Sequence, residues 1–197
     1  ADLIAERLGR DLQPFDIWYD GFTSRAAMSE AELDNIVSTR YPTVAAFQND
    51  LPAILQALSF DAETAAFLQS KITVDPSRGA GHATGAMRSE DNAHLRTRIP
   101  ASGMNYKGFN IAIHELGHNV EQVFTLNKMD HYTLNAVPNT AFTEAFAFVF
   151  QSRDMAVLGL AGNDPEADHL QALDPYWPVR EIGAVGLVDL RVWRWLY

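Results

Sequence analysis

Two histidines four residues apart, with a glutamate directly after the first, are the residues of this chain best suited to chemistry: Ile113-His114-Glu115-Leu116-Gly117-His118. On an α-helix the i, i+4 spacing stacks both imidazoles one turn apart on one face, where both can reach one metal ion. Glu115 lies about 100° round the helix from His114. That offset suits it to accept a proton from a metal-activated water rather than to bind the metal. Ile113, Leu116, Val120, Val123 and Phe124 form a separate apolar stripe. One helix would therefore have a core face and a ligand face, with Gly117 allowing close packing. The bland alternative is a surface helix carrying a solvated His-Glu-His cluster.

Catalytic zinc takes three protein ligands and keeps one position open. The longer H-E-x-x-H-x-x-G-x-x-H pattern is absent, because Glu121 and Phe124 stand where its Gly and last His belong. The third ligand must come from Glu121, His131 or Glu144. Glu144 is the strongest. It is the only charged residue between Ala136 and Phe150, among Phe142, Phe146, Phe148 and Phe150. A carboxylate there is costly unless a cation compensates it, either a metal ion or an arginine such as Arg153 or Arg180. Spacing agrees. The first helix runs about nine residues, or about 14 Å, past His118, and a returning helix from 138 brings Glu144 back about 9 Å, to the histidine level. His131 competes as a loop ligand. Glu121, one turn beyond His118, is a candidate to hydrogen-bond a ligand imidazole from behind.

The elements that must position these residues are mostly helical. Ser29-x-x-Glu32 reads as a capping box opening a helix to about Thr39, after an irregular 1–25. Pro42 starts a second helix, which Pro52 should kink or break. Asp61-x-x-Thr64 opens a third, to about Lys71. Ile72–Val74 reads as a strand closed by Asp75-Pro76, and extended pieces near 83–88 and 94–99 predict a small antiparallel sheet. Helices are expected at about 106–127, 138–158, 165–172 and 179–197. The fold class is mainly α with a small antiparallel β-sheet. The expected layout is one domain over 1–197: an N-terminal helical part (1–71), the β-ribbon (72–104), the metal-binding helix pair (105–158) and C-terminal helices (159–197).

Composition bounds the rest. At 197 residues, 47% hydrophobic and 20% charged, the chain can build a sizeable core. A net charge of −10 makes nucleic acid or an anionic membrane a poor partner. The absence of cysteine removes disulfides, thiolate metal sites and cysteine nucleophiles together. No apolar run approaches the ~18 residues of a membrane span. Arg88, Arg96 and Arg98 make the middle of the chain locally basic, either a solvated face or a substrate contact. The chain opens on Ala1 and closes on Trp193-Arg-Trp-Leu-Tyr197 without a helix-stop signal, so a piece of a longer protein is expected.

With these residues in hand, the chain resembles the zinc peptidases of the thimet oligopeptidase and oligoendopeptidase F family. Three separated segments carry the likeness: Leu8 to Tyr19 (LGRDLQPFDIWY), Asp75-x-x-Arg-Gly-Ala-Gly-His82, and His114-Glu-Leu-Gly-His118 followed by Phe142-Thr-Glu144-Ala. The Phe142-Thr-Glu144-Ala pattern is also similar to that of angiotensin-converting-enzyme-like dipeptidyl peptidases. The resemblance implies a mostly helical, zincin-like catalytic core and one Zn²⁺ held by His114, His118 and Glu144. It also implies short peptides as substrates, pairing with a strand edge near 83–99. It leans towards a cytoplasmic location and leaves a secreted or periplasmic one open. The family's downstream histidine and tyrosines find no match in 151–197, and Glu121 stands where many members have His. An inactive metal-binding fragment or binding domain of a larger peptidase is therefore the competing expectation.

The expected reaction is amide hydrolysis by a metal-activated water with Glu115 as general base. An oxyanion donor is also needed. Tyr106, His131, Tyr132 and Tyr176 are candidates, and Glu121, His131, Tyr132 and His82 are candidates to contact substrate or to back a ligand.

Overall fold

The helices start where a short polar side chain can take up a free backbone amide. Ser29 accepts from the Glu32 amide while Glu32 reaches back to the Ser29 amide, and this capping box opens α2 (Glu30–Arg40). Thr43 caps α3 (Val44–Ala57), Asp61 caps α4 (Ala62–Lys71), Asn105 caps α5 (Tyr106–Lys128) and Asn139 caps α6 (Thr140–Gln151). The structure, a computed structural model, describes residues 1–19, 21, 28–162 and 165–197, without the side chains of 165–168 and 171. It divides into two compact units, Met28–Ala161, and Ala1–Ala27 with Gly162–Tyr197.

The Met28–Ala161 unit contains α2 to α6, the single turn α7 (Asp154–Val157) and three strands: β1 (Ile72–Pro76), β2 (His82–Thr84) and β3 (Ala93–Thr97). The chain is mainly helical, as expected, but the sheet is mixed rather than antiparallel. Its order is β1-β3-β2, with β1 parallel to β3 and β2 antiparallel to it. The 77–92 connection returns the chain to the starting end of β1 and lays down β2 on the way, so β3 runs alongside β1. In register, Asp75, Arg96 and His82 form one row across the sheet, Val74, Leu95 and Ala83 the next, and Thr73, His94 and Thr84 the one after.

Helix α5 lies against β3 on one side and against α6 on the other. Its apolar stripe is buried: Phe109, Ala112, Ile113, Leu116 and Val120 have no exposed surface. They meet Phe47, Leu51, Ile54 and Leu55 of α3, Leu95 of β3 and Ala147 of α6 in one core. Tyr41 stacks on Phe109 at 5.6 Å between ring centres and meets Phe47 edge-on at 5.0 Å. Burial and the adjoining Asp50 carboxylate, which accepts its hydroxyl at 2.7 Å, push the Tyr41 phenol well above its ordinary pKa.

Helix α3 continues through Pro52, so the proline does not break it. An interior proline costs about 3 kcal/mol. Four fully buried side chains, Phe47, Leu51, Ile54 and Leu55, outweigh that at about 1.5–3 kcal/mol each. The expected helix over 138–158 is two helices, since the chain turns at Ser152-Arg153 between α6 and α7.

In the other unit, the supposedly irregular 1–25 contains α1 (Asp2–Leu8) and a 3-10 turn (Pro14–Trp18); residues 20 and 22–25 lie outside the described ones. With α8 (Pro165–Tyr176) and α9 (Val179–Leu196) these elements bury Ile4 and Trp177. Arg10 grips Asp16 with two bonds of 2.7 and 2.8 Å, and Trp177 donates its indole N–H to the Asp16 carbonyl at 3.1 Å. The guanidinium, together with the Gln13 amide, holds the Asp16 carboxyl below the usual carboxylate range. Among the described residues no helix is long and apolar enough to cross a membrane.

Candidate metal centre

The position of α5 is set at its N-terminus. Asn105 accepts the Gly108 amide, Asp34 of α2 accepts the Tyr106 amide at 2.8 Å, and the buried Thr97 hydroxyl of β3 donates to the Gly108 carbonyl at 3.0 Å. Two turns further on, His114 and His118 lie on one face, their ring centres 4.9 Å apart. Both rings are mostly buried, at 16% and 15% side-chain exposure.

Helix α6 approaches α5 closely at Gly117. A β-carbon there would sit 2.7 Å from the Ala147 α-carbon, a distance only glycine avoids. Ala147 is three residues past Glu144, so this contact brings Glu144 level with the histidines. Its two carboxylate oxygens lie 3.4 Å from His114 Nε2 and 3.5 Å from His118 Nε2.

These three side chains can hold a metal ion, since their ligand atoms lie within 4.8 Å of one another. Zinc bonds of about 2.0–2.1 Å in a tetrahedron put ligand atoms roughly 3.3 Å apart. Each histidine Nε2 has a Glu144 oxygen near that distance, Oε2 at 3.4 Å from His114 and Oε1 at 3.5 Å from His118. Two nitrogens and a carboxylate oxygen are also a donor set zinc accepts.

The cluster opens into a cavity of about 300 Å³ lined by His82, Ala83, His114, Glu115, His118, Gln122 and Glu144. Glu115 thus shares the space in front of the ligand atoms without being one of them. Gly81 lies against α5 here. A β-carbon on it would be 2.3 Å from the Ile111 side chain and 3.2 Å from Glu115 Cγ, so the chain entering β2 runs directly over the Glu115 turn.

Glu144 is where the spacing puts it, but the cost of burial is not why. Its side chain is 46% exposed, and Phe142 and Phe148 beside it are exposed as well. Arg153 does not pair with it, and Arg180 belongs to the other unit; among the described residues of its own unit its ionisable partners are the two histidines. His131 is exposed at the head of a 3-10 turn (Tyr132–Leu134) and does not belong to the cluster. Glu121 accepts the Thr125 hydroxyl at 2.7 Å instead of backing an imidazole. Tyr132 is 63% exposed and its hydroxyl reaches the Met87 carbonyl at 3.4 Å. Tyr106 donates to Asp154 at 2.7 Å, and burial together with that carboxylate raises its pKa. Tyr176 lies in the other unit and stacks with Arg180. Arg88 is paired with Asp91 at 2.9 Å.

Sequence reasoning missed the residues behind His114. Its Nδ1 lies 2.9 Å from Gln151 Oε1, and Gln151 Nε2 donates to Asn110 Oδ1 at 2.6 Å. Asn110 Nδ2 in turn donates to Asp154 Oδ2 at 2.7 Å. A spacing signal existed. Asn110 is four residues before His114, and Gln151 is two turns beyond Glu144, so each shares a helix face with a ligand.

Compared with protein families, with curated proteins and with solved structures, the chain finds no match.

Proposed function

We propose that this chain is a zinc-dependent peptidase acting on short peptides, with His114, His118 and Glu144 as metal ligands and Glu115 as general base. The observation that carries this reading is the joint one: three side chains whose ligand atoms lie within 4.8 Å of one another, with a second, uncommitted carboxylate, Glu115, in the same cavity. A bound zinc ion would supply a Lewis acid that polarises the scissile carbonyl and acidifies water. Glu115 Oε takes the proton of the attacking water and hands it to the nitrogen of the leaving amine. The edge strand β2 contributes Ala83 and His82 to the cavity wall, and its outer edge suits an extended peptide laid alongside it. His82 and Gln122 are the donors in that wall that could meet a developing oxyanion.

A second reading, metal binding without turnover, draws on one observation. Among the described residues of the Met28–Ala161 unit, neither Tyr106 nor Tyr132 lines the cavity. One experiment separates the two. Zinc-loaded protein is assayed on a quenched-fluorescent peptide mixture beside Glu115→Gln. The peptidase reading expects hydrolysis by the parent, with equal zinc content and a rate about 10²–10⁴-fold lower in the variant. Zinc uptake with no hydrolysis by either protein would favour the second reading.

A further inference from the structure

The bonds behind His114 form a directed chain, and its direction follows from its last member. Asp154 is 5% exposed, and no lysine or arginine pairs with it among the described residues. Its Oδ2 takes the Tyr106 hydroxyl and Asn110 Nδ2, each at 2.7 Å, and its Oδ1 takes the Met155 amide. An ionised carboxylate only accepts. Asn110 must therefore turn its NH₂ to Asp154 and its oxygen to Gln151. Gln151 must then turn its NH₂ to Asn110, which leaves its oxygen facing His114. His114 can meet that oxygen only with a proton on Nδ1.

We infer that Asp154, through Asn110 and Gln151, fixes His114 in the tautomer protonated at Nδ1, so that Nε2 presents a lone pair to the metal. The three are positioning residues, and the inference rests on the metal-centre reading only for its consequence. A ligand imidazole held and polarised from behind binds metal more tightly, typically by 10–100-fold. Here the negative charge sits three hydrogen bonds away, and two neutral amides relay its polarity.

The relay makes an unusual demand. If the charge moves from position 154 to position 151, every bond can re-form with the amide reversed. An asparagine at 154 would give its NH₂ to Asn110 Oδ1 and to the Tyr106 oxygen, keeping its own oxygen for the Met155 amide. Asn110 would then give its NH₂ to a glutamate at 151, which would accept from His114 Nδ1–H directly. Asp154→Asn alone leaves the chain without an anchor, and Gln151→Met cuts it while keeping Asp154.

The test uses the full chain with two readouts. In zinc-free protein at alkaline pH, long-range ¹H–¹⁵N spectra report which nitrogen of neutral His114 carries the proton. Zinc affinity is read by competition with a chromophoric chelator. The parent is expected as the Nδ1–H form, while D154N and Q151M shift towards the Nε2–H form and lose about 10–100-fold in zinc affinity. The double variant D154N/Q151E should return to the parent tautomer and affinity. If D154N does not fold, Q151M and the double variant decide. Unchanged tautomer and affinity in the single variants, or a double variant no better than D154N, would overturn the inference. A parent that takes up no zinc would defeat the metal reading, and the tautomer measured without zinc would still judge the relay.

Discussion

Glu144 is the one ligand that α5 does not supply, and its replacement separates a metal centre from a pair of adjacent histidines. Glu144→Ala should cost more zinc affinity than the roughly 10–100-fold expected for a lost partner behind a ligand, measured by the same chelator competition. A loss below tenfold would mean that another residue completes the site. Two arguments from the sequence led to this glutamate, and only one survives. The length of helix, loop and returning helix places residue 144 at the histidine level, and that arithmetic depends on backbone geometry alone. The electrostatic argument assumed that a glutamate among phenylalanines is buried. The phenylalanines of α6 instead divide between core and surface, Phe150 at 5% exposure and Phe148 at 58%. Sequence composition reports neighbours along the chain, whereas burial depends on which side of the helix each one takes. The residues behind His114 went unread for a related reason: an amide pair is polar and uncharged, so Gln151 and Asn110 carry no mark in sequence beyond their spacing.

At the scale of elements, the crossing of α5 and α6 decides the geometry of the site. Gly117→Ala puts a β-carbon 2.7 Å from the backbone of Ala147. The substitution should destabilise the chain by about 1–3 kcal/mol despite alanine's better helix propensity, and it should weaken zinc binding by moving Glu144 away. Urea denaturation and zinc titration of the variant check the two parts. A stable variant with parent affinity would show that the crossing is looser than the contact implies. Ser29 and Asp61 marked two helix starts in the sequence, and each accepts the amide expected of an N-cap, as Asn105 does for α5. Asn105→Ala should therefore cost about 1 kcal/mol. The sheet was less legible. Each of its strands has at most five residues, and nothing in so short a run states whether its neighbour runs with it or against it. Strand direction here is decided by the path of the 77–92 connection, a tertiary matter.

At the scale of the whole molecule, acid should unfold the chain through a small set of carboxylates. Asp16 is held low chiefly by Arg10, Glu32 by the Ser29 hydroxyl and amide, and Asp61 by the Thr64 amide and hydroxyl. In each case the folded pKa is below the unfolded one. The stabilisation is therefore fully present above the unfolded values, near pH 4, and is lost as pH falls through the folded values. Melting curves from about pH 6 down to about pH 3 should show a falling midpoint, and Asp61→Asn, which still caps, should flatten part of that fall. A variant as acid-labile as the parent would remove Asp61 from the set. The metal cluster and the core around it lie wholly within Met28–Ala161, so the ion should stabilise that unit directly. Zinc at a hundredfold excess over its dissociation constant is expected to add about 2.7 kcal/mol, reversed by a chelator. A melting temperature indifferent to both would contradict a site that exists only in the folded chain.

The function proposed for this chain depends on one metal ion between α5 and α6, held by His114, His118 and Glu144. Diffraction from zinc-soaked crystals at the zinc absorption edge tests it most directly. A single strong anomalous peak is expected about 2.0–2.2 Å from His114 Nε2, His118 Nε2 and a Glu144 oxygen, with Glu115 outside bonding distance. A peak ligated by His131 or Glu121 in place of Glu144, or no peak between the two helices, would contradict it.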